Sequence, residues 1–120
     1  MTHTSTPSAE ALLQRGLELV ASGSGGEAAD AFRATINADP ACIEAYHGLV
    51  RALRDAGNFN EAIAAALALT TLTPNDPLAH TALSIALQGA GRIPEAEAAA
   101  ARARILEWKI QLQLPADETS

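Results

Sequence analysis

Cys42, His47 and His80 carry side chains of the kind from which metal sites and nucleophilic centres are made. A cysteine activated by an imidazole base can attack a carbonyl carbon, and thiolate and imidazole together can hold zinc. Either chemistry needs its groups brought together, and the spacing typical of zinc ligands is absent. The glycine-rich run Gly23-Ser-Gly-Gly26 invites a phosphate-cradling reading. It lacks the lysine that should follow and the strand that should precede it, so it reads as a turn between helices. No catalytic residue, metal or cofactor is expected, and the chain is not expected to be an enzyme. The other chemistry on offer is non-covalent. Glu44, His47, Arg51 and Arg54 recur three and four residues apart, which places them on one face of a helix.

The elements that must position these residues follow from composition. The chain has 120 residues, room for one domain. Its apolar residues make up 48% of it and aromatics only 3%. Alanine and leucine dominate, and these favour helices, whereas strands favour β-branched and aromatic side chains. An all-α protein with close helix packing is expected. The net charge of −6, with 8 basic residues scattered among 14 acidic ones, argues against a nucleic-acid partner. One cysteine excludes an intrachain disulfide. The first ten residues have neither a basic region nor an apolar run, and the longest apolar stretch, residues 62–69, is too short to cross a bilayer. A cytoplasmic protein is the expectation.

Displacing the sequence by 34 residues brings six columns into identity: Ala11/Ala45/Ala79, Leu19/Leu53/Leu87, Gly23/Gly57/Gly91, Glu27/Glu61/Glu95, Ala28/Ala62/Ala96 and Ala31/Ala65/Ala99. An alanine-rich chain aligns alanines by chance, but not Leu, Gly and Glu at the same offset. Each copy reads as two helices around the shared glycine, which suits a helix C-terminus. Ser24-Gly-Gly-Glu27 and Asn58-Phe-Asn-Glu61 read as capping boxes. Asp76-Pro77 reads as a cap followed by a first-turn proline, and Pro94 stands in the first turn of the last helix. The expected core is Leu12/Tyr46/His80, Leu19/Leu53/Leu87 and the repeated alanines, because one hairpin cannot bury its apolar face and three in series can.

This pattern resembles the tetratricopeptide repeat. The period is 34; a small residue holds the eighth position (Gly16, Ser84), alanine the twentieth (Ala28, Ala62, Ala96), and Phe32, Ala66 and Ala100 the twenty-fourth. Pro40 and Pro74 close the first two copies. Departures are Arg15 in place of a favoured leucine, the bulky Val50 at the eighth position, and Trp108 where a third closing proline would stand. The resemblance implies an α-α superhelix, a right-handed solenoid of three hairpins. The repeats occupy residues 9–42, 43–76 and 77–114, between flexible polar tails at 1–8 and 115–120.

The resemblance also implies that the first helix of each hairpin lines a concave groove. That assigns to the groove Glu10, Leu13, Leu17 and Val20, then Glu44, His47, Arg51, Arg54 and Asp55, then Leu78, Thr81, Ile85 and Gln88. A groove with apolar flanks and two central arginines suits an apolar helix or extended peptide carrying an acidic residue. The carboxylate clamp by which some members grip chaperone tails is missing, since its positions hold Leu13, Leu17, Gly48, Leu78 and Ala82. A second candidate surface is residues 105–114, where Ile105, Trp108 and Leu112 share a stripe with Leu106 and Ile110 beside it. No polar capping helix follows it, so Trp108 either closes the last layer or anchors a partner or a second copy. Function is therefore expected to be protein binding, as an adaptor or scaffold. The alternatives are a small assembly subunit docked through the C-terminal helix and a client-specific chaperone.

Overall fold

The computed structural model describes residues 7–113, so Leu114 and most of the two expected tails, 1–6 and 115–120, lie outside the described residues. The described chain is six α-helices in series: α1 (Ala9–Ala21), α2 (Gly25–Ala38), α3 (Ile43–Asp55), α4 (Phe59–Leu72), α5 (Pro77–Gly89) and α6 (Ile93–Gln113). The hairpin turns fall at the glycine column. Gly23, Gly57 and Gly91 take φ of 84°, 80° and 78°, the left-handed conformation that ends a helix without a Cβ clash. After each glycine the chain folds back, its next amide bonding a carbonyl one turn inside the finished helix, as Asn58 N does to Leu53 O at 2.8 Å.

Each helix packs on its neighbours in sequence; in addition α1 touches α3 and α3 touches α5. The outer helices α2, α4 and α6 have no such backbone approach to one another. They meet through long side chains, as where Arg33 of α2 donates to Glu61 of α4 at 2.7 Å. Close contact along one row and splay along the other bends the stack, and α1, α3 and α5 line its concave side. The result is the expected all-α solenoid.

The core is built from the repeated alanines at 28, 62 and 96 and at 31, 65 and 99, with Leu53, Leu87, Phe32 and Leu69 among them. Alanine lets helix backbones approach closely, and the larger chains fill what remains. The Phe32 ring is fully buried, and it lies against two glycines: a Cβ on Gly16 would come within 2.6 Å of it, and one on Gly48 closer still.

Several expectations need correction. Leu12, Tyr46 and His80 are half-buried rather than core. Tyr46 and His80 sit over the turns between repeats, where Tyr46 Oη donates to Pro40 O at 3.2 Å and His80 Nε2 to Pro74 O at 2.9 Å. Leu19 is also half-buried, because no helix of the described residues covers that end of the stack. Ser24 and Asn58 are N-caps by position but make no side-chain cap bond. Their ψ values of 67° and 69° depart from the extended value of Ser8, and Glu61 is drawn away to Arg33. Ser8, assigned to the polar tail, caps α1 by accepting from Ala11 N at 3.1 Å. Asp76 caps α5 as expected, accepting from Leu78 N at 3.0 Å ahead of Pro77. At the start of α6, Arg92 binds Glu95 with two donors and holds that carboxyl below its ordinary pKa, chiefly by hydrogen bonding.

Candidate functional site

Between α3 and α5, on the concave side, lies a cleft of about 280 Å³ lined by His47, Arg51 and Arg54 from one helix and Leu78, Thr81 and Ile85 from the other. Val50, 3% exposed, and half-buried Ala82 complete it. The helical spacing explains the two walls. Residues 47, 51 and 54 of α3 stack on one face, and 78, 81 and 85 of α5 do the same, three and four apart. One wall is cationic and the other apolar.

A second cleft, lined by Arg54, Phe59, Ile85, Gln88 and Gly89, continues from the first and shares Arg54 and Ile85 with it. Phe59 was not foreseen as part of this surface. It lies against Gly89, where a Cβ would collide with its ring, and the available signal was Gly89 itself, a glycine inside the last turn of a helix.

The two arginines differ electrostatically. Arg51 Nε lies 3.8 Å from Asp55 Oδ2, an exposed pair of little energetic weight. Arg54 has no ion-pair partner among the described residues, and its Nε is buried with no acceptor. A buried donor left unpaired costs about 1–3 kcal/mol. Thus the junction of the two clefts holds a guanidinium with unused hydrogen-bonding capacity. A carboxylate matches both its charge and its donor geometry.

Other residues assigned to the groove lie apart from this cleft. Leu13 and Val20 are half-buried against the core. Leu17 is 43% exposed on α1, and Glu10 and Glu44 are exposed without lining it. Trp108, 61% exposed, projects from α6 together with Ile105, Ile110 and Leu112. Val50 and Ala82 were not assigned to the groove, although Val50 stood out as too large for its column. Cys42 is the N-cap residue of α3, and among the described residues no three His, Cys, Asp or Glu side chains gather as metal ligands. Among the described residues, no helix is long and apolar enough to cross a membrane.

Known proteins give the same architecture. The crystal structure of MamA superposes with a TM-score of 0.80 at 25% identity, covering 87% of this chain and 61% of that one. This chain therefore spans about three-fifths of the MamA length. The Yersinia enterocolitica type III secretion translocator chaperone SycD matches with a TM-score of 0.77 at 21% identity, over 88% of this chain and 80% of its own. The second TPR of Spaghetti (RPAP3), solved with the HSP90 peptide SRMEEVD, gives 0.74 at 19% identity, over 82% and 91%. No curated protein matches in sequence. The tetratricopeptide repeat family matches residues 19–85, more than half of the sequence, and together with the 34-residue period and the six-helix stack this makes the chain a member of the tetratricopeptide repeat family.

Proposed function

We propose that this protein is a binding module, an adaptor or scaffold without catalytic chemistry, that holds an apolar helix or extended peptide of a partner protein in the groove between α3 and α5. The partner segment carries an acidic side chain that reaches Arg54. The observation that supports this is the pairing of an apolar wall, Leu78 and Ile85, with the Arg54 guanidinium, which has no ion-pair partner among the described residues, at the point where the two clefts join. The solved neighbours lend analogy: one holds an HSP90 peptide and another is a chaperone for translocators. The HSP90 mode itself does not carry over, because Leu13, Leu17, Gly48, Leu78 and Ala82 occupy the clamp positions.

Selection of peptides from a random display library on the immobilised protein tests the reading. Enriched sequences should pair Asp or Glu with apolar residues at helical or alternating spacing. Their affinity for the Arg51→Glu/Arg54→Glu protein should drop by about tenfold or more, as when one member of a close charge pair is inverted. Peptides that bind both proteins equally would remove the groove reading.

A second reading rests on α6. Ile105, Trp108, Ile110 and Leu112 are 45%, 61%, 44% and 64% exposed, an apolar surface of the kind partners cover. Through it the chain would serve as a small assembly subunit or as a chaperone for one client.

A further inference from the structure

The three repeats build one cleft three times over on the outer side of the stack. Leu12, Leu19, Glu27 and Ala31 form it in the first repeat, Tyr46, Leu53, Glu61 and Ala65 in the second, and Leu87, Glu95 and Ala99 in the third. Two of these clefts are roofed by the outer helix of the repeat before: Arg33, Ile36 and Asn37 of α2 over the second, Ile63 and Leu67 of α4 over the third. The register of roof on wall is fixed by Arg33, which bonds Glu61 28 residues onward. Leu67 and Glu95 face the third cleft at the same separation. Among the described residues no helix roofs the first cleft, and α6 roofs nothing.

Continuing this register from α6 of one copy onto α2 of another gives a specific match. Arg104 falls opposite Asp30, Ile105 opposite Ala31, Trp108 opposite Ala34 and Leu112 opposite Ala38. The opposed charges have opposite sign, and the large exposed apolar side chains meet a row of alanines. We propose that the chain associates head to tail with a second copy of itself, α6 of one molecule roofing the first cleft of the next. The contact stands between molecules where α2 meets α4 within one, with Ala101 and Arg104 of α6 at the places of Arg33 and Ile36 of α2. It joins two different surfaces, so each added copy presents a fresh α6 and the assembly extends rather than closing as a two-fold dimer. The inner groove stays open, so this association stands independently of the peptide-binding reading.

Light scattering during size exclusion, at low salt and from about 1 µM to about 1 mM chain, reads the association. The average mass should climb with concentration past that of two chains. Trp108→Ala should weaken it by about tenfold or more, as loss of an aromatic anchor does. Asp30→Arg and Arg104→Asp should each weaken it by about three- to tenfold, since an exposed pair becomes a repulsion. An equimolar mixture of these two variants should regain the association. Circular dichroism identical to that of the unaltered protein confirms that each variant folds. A mass of one chain at every concentration overturns the proposal. A dimer indifferent to Asp30→Arg overturns it too, since it would place α6 against α6, and so does a mixture that fails to regain association.

Discussion

Phe32 occupies a space that two glycines vacate, and the adjacent layer fills the same space differently. Where the first layer has Gly16, Phe32 and Gly48, the positions one repeat onward hold Val50, Ala66 and Ala82, so the bulk moves from the outer helix to the inner one. In the third copy Ser84 stands at the same column and donates to Ala96 O at 2.8 Å. Val50 was visible in the sequence as a misfit, but its compensation was not, because it lies in the small Ala66 and Ala82 that stand one repeat on from Phe32 and Gly48. Gly48→Ala should therefore destabilise the protein by about 1–3 kcal/mol through overpacking, against the usual gain of alanine over glycine in a helix. Gly26→Ala, which meets open space, should be neutral or stabilise by about 0.4–1 kcal/mol. Thermal unfolding of both variants measures this, and equal shifts in one direction would show that the Phe32 contact does not matter.

Helix boundaries were the most legible feature, since the repeated glycines and the prolines at 77 and 94 mark them directly. The residue types at the caps were legible too, but not which side chains would bond. Asp76 accepts an amide hydrogen bond, while Ser24 and Asn58, equally suitable by type, do not. The difference lies in the tight turn after the left-handed glycine, which turns the cap residue away from the extended backbone that capping favours. Asp76→Ala should cost about 1 kcal/mol of stability, whereas Ser24→Ala should cost well under half of that. Urea denaturation midpoints at constant slope provide the comparison. Comparable losses in the two variants would mean that the bond to Leu78 N contributes little. The cationic wall of the groove could likewise be read from helical spacing on α3. The apolar wall opposite it required the family resemblance to place α5 alongside.

Contacts in the solenoid run from neighbour to neighbour, so stability is distributed along it unevenly. The backbone of α3 lies close to α1, α2, α4 and α5, whereas that of α6 lies close to α5 alone, and α6 buries no residue after Leu106. At dilute concentration, amide hydrogen exchange should be slowest in α3 and α4 and fastest in residues 107–113. Mass-spectrometric exchange reads this directly, and uniform protection from end to end would contradict a repeat-by-repeat arrangement. The curvature has a mechanical corollary. With the inner helices in contact and the outer ones bridged only by side chains such as Arg33 and Glu61, the stack is a leaf spring hinged along its inner row. Flexing it changes the outer gaps most and the inner contacts least. A bulky substitution at Ala65, wedged into the outer gap between α2 and α4, would therefore alter the pitch of the coil and the width of a mouth it never touches.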